Sequence, residues 1–333
     1  MNFVKSDPKN APQLRKFGPV PAGSRDFTFA HLSDPHLFLP DAVRLRDLLN
    51  KRMYGYLSWR LHRRFEHCGD VLPAMLEDIR SADPDHIVIT GDLTHLALQG
   101  EFLRARALLR SLGPPSKVTV IPGNHDIYVR SAWKYVTHLW SDYLFSDKDA
   151  SGCHEKSGQE IFPTLRIRNG VAFIGMSSAR PTPPFLAFGS VGKTQLEKLK
   201  IILDETRRRG LLRVVLIHHS PVPGSVSRRK RLRDEIGFQQ VLAYHGAELI
   251  LYGHTHYVSS GHLDTRFGPV PAIGVPAISA LGRSPRRRAR YHLFRLLPTR
   301  DRVDLRFSVR MYSPENGRVV TESEQRVILP HAV

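Results

Sequence analysis

The sequence has 333 residues, which is enough for one large domain or two small ones. Its 49 Lys and Arg outnumber its 31 Asp and Glu, so the formal net charge is +18, while the hydrophobic (41%) and charged (24%) fractions are those of a globular protein. These figures exclude a disordered or collagen-like chain. The two cysteines, Cys68 and Cys153, lie far apart, so we expect neither a disulfide framework nor a cysteine metal cluster, and we expect a reducing, cytoplasmic location.

The chain shows no sequence signal for export or for crossing a membrane. Residues 1–17 lack the apolar segment of a signal peptide, and no stretch reaches the roughly 18 to 20 apolar residues that span a bilayer. The basic excess either reflects arginine-rich codon usage alone or indicates an anionic partner. Such a partner is a phosphate-bearing substrate, an acidic membrane surface or nucleic acid, and composition leaves all three open.

Short apolar runs alternate with helical patterns along most of the chain, after a leader at 1–25 that is rich in Pro, Lys and Gly and is predicted to be flexible. Strands are predicted at 27–32, 86–90, 117–121, 171–176, 213–217 and 249–252. Helices are predicted between them at about 71–82, 99–112, 131–145, 192–209 and 233–245. This alternation is typical of a layered α/β fold.

The pattern changes after residue 257. Strand-like runs at 270–278, 291–297 and 302–312 follow one another without helices, which predicts a second, antiparallel sheet within the same domain. We place this domain at 26–320 and a C-terminal tail at 321–333.

An insertion at 38–70 separates the first strand from the first core helix and is longer than a simple crossover needs. Its middle, 48–65, mixes basic and aromatic residues. Four apolar residues there share one helical face at a spacing of four: Leu49, Met53, Leu57 and Leu61. Two interpretations stay open: an amphipathic helix that lies on an anionic membrane, or a helix that packs this face onto the domain and solvates its charges.

Five short motifs with metal-binding side chains each follow a predicted strand. In chain order they are Asp34-Pro35-His36, Gly91-Asp92, Gly123-Asn124-His125-Asp126, His218-His219-Ser220-Pro221 and Gly253-His254-Thr255-His256. Open α/β sheets place their sites at the carboxyl ends of strands, so the five motifs indicate one shared site.

These residue types suit a site with two metal ions. Two divalent cations about 3.5–4 Å apart need carboxylate oxygens, imidazoles and one group that bridges them. An Asp-x-His segment places both side chains on the same side of an extended chain, and a glycine before a ligand permits a sharp turn at the strand end. Such a donor set accepts Mn, Fe, Zn or Co, of which we favour Mn.

The motifs, in this order over about residues 27–257, resemble the calcineurin-like metallophosphoesterase superfamily, and their spelling is nearest to its cyclic-nucleotide and glycerophosphodiester phosphodiesterase branch. The resemblance implies an α/β fold, a four-layer α-β-β-α sandwich, here with a helical cap-like insertion. It assigns one metal to Asp34, His36, Asp92 and His256. It assigns the second metal to Asp92, Asn124, His218 and His254, with Asp92 as the bridge.

The family mechanism, carried onto this chain, is an in-line attack on phosphorus by a hydroxide that bridges both metals. In this scheme His125 stabilises the transition state or protonates the leaving oxygen, and Asp126 orients the His125 imidazole. Arg180, at the end of a predicted strand, is a candidate clamp for a substrate phosphate.

Three classes of function follow. The first is a phosphodiesterase or pyrophosphatase acting on a small substrate such as a cyclic nucleotide or a glycerophosphodiester. The second is a membrane-surface pyrophosphatase similar to the UDP-2,3-diacylglucosamine hydrolases of lipid A synthesis, peripheral to the inner face of the membrane through 48–65. The third is a non-catalytic metal-bound scaffold, which would have no need of His125. A nuclease is a further alternative, but nucleic acid is a disfavoured partner because the aromatic residues at 48–65 lie among apolar ones rather than along a basic groove. The sequence predicts no oligomeric state.

Overall fold

The computed structural model of the chain describes residues 26–40, 43–61, 69–147, 161–282, 284–298, 303–327 and 329. The predicted flexible leader at 1–25 lies outside the described residues, as do residues 62–68 of the predicted insertion. The strands are β1 (Phe27–Leu32), β2 (His86–Ile89), β3 (Val118–Val120), β4 (Thr164–Arg168), β5 (Val171–Gly175), β6 (Leu212–Leu216), β7 (Leu249–Tyr252), β8 (Ser259–Leu263), β9 (Val270–Gly274), β10 (Arg290–Pro298), β11 (Val303–Ser313) and β12 (Arg318–Val327). The α-helices are α1 (Arg52–Leu61), α2 (Val71–Ala82), α3 (Gln99–Leu112), α4 (Trp133–Leu139), α5 (Ser141–Leu144), α6 (Lys193–Arg208) and α7 (Glu235–His245).

The strands form two mixed sheets of six strands each. The first sheet has the order β12-β11-β10-β1-β2-β3, and the second has the order β4-β5-β6-β7-β9-β8. Strands β1, β2 and β3 run parallel to one another, and so do β5, β6, β7 and β9. The carboxyl ends of the parallel strands therefore meet at one edge of each sheet.

The two sheets pack face to face, and helices cover their outer sides. The Phe29 ring of β1 meets the Phe173 ring of β5 edge to face at 5.2 Å, which joins the sheets in one core. The neighbours of Phe173 in β5, Ala172 and Ile174, point the other way and pack with residues of α6 and α7, such as Leu203. This two-residue alternation buries both faces of β5 and gives the expected α-β-β-α sandwich.

The expectation of a separate antiparallel sheet after residue 257 is wrong. Strands β8 and β9 extend the second sheet, with β9 parallel to β7, whereas β10, β11 and β12 extend the first sheet. Consecutive strands without helices predict antiparallel pairing but not the edge at which the pairing begins. Here β10 takes the open edge of β1, where Phe294 stacks on Phe29 at 4.7 Å.

The domain boundary at residue 320 and the tail at 321–333 are also corrected, because β12 occupies Arg318–Val327. This strand lies at the edge of its sheet and most of its side chains are exposed, so its polar sequence resembles that of a tail.

The predicted helix at 131–145 is in fact divided into a 3-10 turn (Arg130–Ala132), α4 and α5. No helix among the described residues is long and apolar enough to cross a membrane.

The insertion contributes α1, whose apolar face is exposed. Leu49 is 86% and Leu61 64% exposed, and Met53 and Leu57 are each more than 40% exposed, so the interpretation that this face packs onto the domain is wrong. The opposite side of α1 makes the contact instead. Gly55 is buried there, and a methyl group at this position would come within 2.8 Å of the Leu96 and Tyr128 side chains.

A buried ion pair joins the amino end of β6 to the residue before β7, far along these strands from the edge where the five motifs meet. Arg213 and Glu248 are about 3% exposed, and the Arg213 guanidinium donates to both carboxylate oxygens at 2.6 and 3.0 Å. Arg213→Met leaves this carboxylate buried and unpaired, so we expect the free energy of unfolding to fall by about 3 kcal/mol in urea titrations. The matched change Arg80→Met, at an exposed pair with Glu77, should cost less than about 1 kcal/mol, and equal losses would contradict the prediction.

Candidate metal centre

The five motifs meet where the carboxyl ends of the parallel strands of both sheets converge. Asp34 and His36 follow β1, Asp92 follows β2, and Asn124 and His125 follow β3. The second sheet contributes His218, after β6, and His254 and His256, after β7. All seven predicted ligands, Asp34, His36, Asp92, Asn124, His218, His254 and His256, are buried or half-buried at this junction.

Five of the predicted ligands adopt a left-handed backbone that side chains other than glycine rarely take. They are Asp34, His36, Asp92, His254 and His256, with φ between +44° and +65°. Each such residue costs on the order of 1–3 kcal/mol, and such conformations cluster at functional sites. The chain therefore bends sharply at the strand ends and turns each of these side chains toward a common point.

The first group of ligand atoms belongs to Asp34, His36, Asp92 and His256, and all of them lie within 4.8 Å of one another. His256 Nε2 is 3.1 Å from both Asp34 Oδ1 and His36 Nε2. His36 Nε2 is also 3.5 Å from Asp34 Oδ1. This is the residue set that the family resemblance assigned to one metal.

The second group contains Asp92, His218 and His254, again within 4.8 Å. His218 Nε2 lies 3.3 Å from Asp92 Oδ2 and 3.2 Å from Asn124 Oδ1. His218 Nδ1 donates to the Thr90 carbonyl at 2.6 Å, which holds the ring and directs Nε2 to the centre. Asp92 belongs to both groups, as the expected bridge requires.

The electrostatics of the centre also fit bound cations. Asp34 Oδ1, Asp92 Oδ2 and His254 Nε2 are buried and make no well-aligned hydrogen bond with the described residues, although imidazole nitrogens lie 3.1 and 3.3 Å from the two carboxylate oxygens. Buried polar atoms normally have partners, and these three are all donors of electron pairs. Burial alone would raise the pKa of Asp34, but the His256 and His36 imidazoles hold it well below its ordinary value, so this carboxylate is ionised.

His125 lies beside the first group. Its ring centroid is 4.9 Å from that of His36, and its backbone N–H donates to Asp92 Oδ1 at 2.7 Å. His125 Nδ1 donates to the His95 carbonyl at 2.6 Å. This bond places the proton of the neutral imidazole on Nδ1 and fixes the orientation of the ring.

The role predicted for Asp126 is wrong in its geometry. The Asp126 carboxylate accepts hydrogen bonds from the backbone N–H groups of Gly123 and Thr94, both at 2.8 Å, and from the Thr94 hydroxyl. It therefore braces the two loops that surround His125, while the His95 carbonyl orients the imidazole. An aspartate side chain bonds readily to backbone N–H groups of its own turn, and this local pairing wins over contact with the neighbouring ring.

Sequence reasoning missed the contribution of the buried loop at 94–98. The His95 ring lies 5.3 Å from that of His125, and Glu101 Oε2 accepts the backbone N–H groups of His95, Leu96 and Leu98 at 2.9–3.3 Å. Burial raises the pKa of Glu101 to about 7, against the effect of these bonds. A glutamate at the third position of a helix is a known capping signal, so the sequence alone could have predicted that Glu101 binds the backbone of this loop.

Arg180 does not join the two ligand groups. Its side chain is exposed, Nε donates to the Ser190 carbonyl at 2.8 Å, and it lines a cavity of about 710 Å³ together with Arg130 and Lys193. Its role as a phosphate clamp stays a prediction.

A family model described as calcineurin-like phosphoesterase matches residues 27–258. The chain belongs to this family. Among curated protein sequences, none matches it. The two ligand groups fit the binuclear centre that the resemblance implied for a calcineurin-like phosphoesterase, and the chain is a metal-dependent phosphoesterase.

Among solved structures, a dimetal phosphatase shares the fold of this calcineurin-like phosphoesterase, and two further structures are less similar. A dimetal phosphatase from Danio rerio is 13% identical, with 94% of this chain and 100% of that chain covered, at a TM-score of 0.60. A NAD nucleotidase from Haemophilus influenzae is 12% identical over 92% of this chain and 50% of that one, at 0.43. A sulfate thiohydrolase from Thermus thermophilus is 18% identical over 90% and 58%, at 0.45. At these identities the similarity concerns the fold alone.

Gly253 allows the closest approach between the loops after β7 and β1. A methyl group here would fall within 2.5 Å of Asp34 Oδ2 and closer still to Ser33 Oγ. Gly253→Ala should displace Asp34, so we expect the metal content per chain, measured by mass spectrometry after dialysis, to fall to half or less. Gly69→Ala, where the added group meets open space, is the matched control and should keep the wild-type metal content. Full metal content in Gly253→Ala would contradict this prediction.

Proposed function

We propose that this phosphoesterase hydrolyses a phosphodiester or a pyrophosphate bond at a centre of two divalent metal ions, of which Mn is favoured. The observation that carries the proposal is the pair of ligand groups joined at Asp92 with His125 beside them. When bound, two such ions supply positive charge to the phosphoryl oxygens and a water of lowered pKa. Asp34, His36, Asp92 and His256 would hold one ion, and Asp92, Asn124, His218 and His254 the other.

Residues of this chain transfer the proton, exclude water and attract the substrate. His125 Nε2 exchanges a proton with the leaving oxygen, because its Nδ1 is occupied by the His95 carbonyl. The buried loops keep bulk water away from the ligands, which strengthens each interaction with the anionic substrate. The chain's charge of +18 favours the approach of such a substrate.

The test is hydrolysis of a substrate panel by Mn-loaded protein. The panel contains bis-p-nitrophenyl phosphate, cyclic AMP, a glycerophosphodiester and a UDP-linked diacylated sugar, and we expect turnover of at least one. His125→Ala should lower kcat by about 10²- to 10⁴-fold because general acid catalysis is lost, while metal content stays at two ions per chain. An inert wild-type enzyme, or loss of metal in His125→Ala, would contradict the proposal.

A second candidate function is a membrane-surface pyrophosphatase of the UDP-2,3-diacylglucosamine type. The observation that favours it is an exposed apolar surface on α1, which we call the α1 surface. It consists of Leu49, Met53, Tyr54, Leu57 and Leu61, and Phe185, which is 74% exposed, adds to it at 5.0 Å from the Tyr54 ring. Arg46 and Arg60 are exposed on the same segment and complement an anionic lipid surface.

A cavity beside the metal centre suits the apolar part of such a substrate. It has a volume of about 470 Å³ and lies between α2, α3 and the segment after β1, with His36 and His95 among its lining residues. Its other lining residues are largely apolar and include Phe38, Trp59 and Leu76. A lipid-linked phosphoester that reaches the centre from a membrane would have a place for its apolar group here.

Sedimentation with vesicles of phosphatidylglycerol and phosphatidylcholine tests this candidate. We expect wild-type protein to sediment with the vesicles at low salt and the double variant Leu57→Glu, Leu61→Glu to stay in solution, because its carboxylates oppose both apolar burial and anionic lipid. The control pair Ile201→Glu, Ile236→Glu changes equally exposed apolar residues of α6 and α7 and should sediment like the wild type. Wild-type protein that stays in the supernatant rules the candidate out.

A further inference from the structure

The inner side of the insertion brings a cation close to the metal centre. Lys51 immediately precedes α1, and its Nζ donates to the Thr182 hydroxyl at 2.7 Å and lies 4.3 Å from the centre of the Tyr128 ring. The Tyr128 ring stacks in turn on His125, with the centroids 5.4 Å apart and the planes 20° from parallel. The Tyr128 ring thus contacts both the Lys51 ammonium and the His125 imidazole.

The position of Lys51 is fixed by the residues that follow it. Arg52 donates from Nε and Nη2 to the Leu96 and Ala97 carbonyls, both at 2.7 Å. Those carbonyls belong to the same loop whose His95 carbonyl holds His125. The start of α1 is therefore hydrogen-bonded to the loop that holds His125, although the outer face of α1 is exposed.

The charge of Lys51 is not neutralised by an ion pair with any described residue. Burial lowers the pKa of Lys51 to about 8, and the charge of the Asp92 carboxylate acts in the opposite direction. An ammonium has three N–H groups, and the Thr182 oxygen and the Tyr128 ring engage two of them. The Thr182 hydroxyl donates its own proton to the Leu186 carbonyl, so it presents only an acceptor to Lys51.

We propose that Lys51 is a phosphate-binding residue, whose remaining N–H donates to a phosphoryl oxygen of the substrate or of the phosphate product at the centre. The proposal rests on the proposed function, since it requires a phosphoester at the metal ions. A half-buried ammonium held between a hydroxyl and an aromatic face is preorganised for an anion, because the anion supplies the missing counter-charge. The insertion would then form part of the substrate site.

Binding of inorganic phosphate to Mn-loaded protein, measured by titration calorimetry, tests the proposal without turnover. Lys51→Met should weaken phosphate binding at least tenfold, and Lys51→Arg should restore most of it. Lys51→Gln keeps a donor for Thr182 but removes the charge, so a loss of affinity in this variant too assigns the effect to charge rather than to folding. Lys134→Met is the matched control, because Lys134 also lies over a tyrosine ring, at 5.0 Å, and should bind phosphate like the wild type.

Turnover of the best substrate in the panel separates binding from structure. Lys51→Met should raise KM with metal content and thermal unfolding unchanged. Wild-type affinity for phosphate in both Lys51→Met and Lys51→Gln, or no phosphate binding by the wild type, would overturn the proposal. An enzyme that binds phosphate through Lys51 but hydrolyses no member of the panel would contradict the proposed function alone.

Discussion

One carboxylate serves both sheets at once, and the rest of the site is arranged around it. Asp92 Oδ2 lies 3.3 Å from His218 Nε2, which the second sheet supplies, and 4.0 Å from His36 Nε2, which the first sheet supplies. The backbone around Asp92 is fixed by its neighbours, since Asp34 N donates to the Gly91 carbonyl and His36 N to the Asp92 carbonyl, both at 3.0 Å. Burial of the Asp92 carboxylate is unfavourable unless positive charge lies close to it. The two sheets therefore have to pack at a distance that keeps ligands from both of them around Asp92.

The sequence predicted the residues at the centre because each ligand motif immediately follows a buried strand. Parallel pairing then forces the strand ends, and with them Asp34, Asp92 and His218, to one edge. The same reasoning was weaker for contacts that depend on loop conformation. The family resemblance assigned the His125 imidazole to Asp126, whereas a backbone carbonyl, that of His95, holds the ring. A carbonyl carries no residue-specific signal, so no motif could have indicated it.

The pattern of apolar residues also could not show which sheet a strand joins or which face of a helix packs against the rest of the domain. The segments after residue 257 are strands, as predicted, but they extend both sheets. The sheet edge that a strand joins depends on tertiary contacts, which the local sequence pattern does not encode. The apolar spacing at 48–65 left open whether the leucine face packs onto the domain or lies on a membrane, and in the structure the contact is made by Gly55 and the polar side chains next to it. A glycine permits closer approach than a leucine, and Arg52 satisfies loop carbonyls that water would otherwise have to reach.

The hydrogen bond from His254 N to Asp34 Oδ2, 3.0 Å long, joins residues 220 positions apart. Because the donors come from both sheets, no fragment shorter than residues 34–256 contains the complete set, and the unfolded chain has no equivalent affinity for an ion. A cation that binds only the native state stabilises it by about 2.7 kcal/mol at a concentration one hundred times its dissociation constant. Removal of the bound ions would therefore lower the free energy of unfolding as well as the activity, and a chelator would destabilise the folded protein.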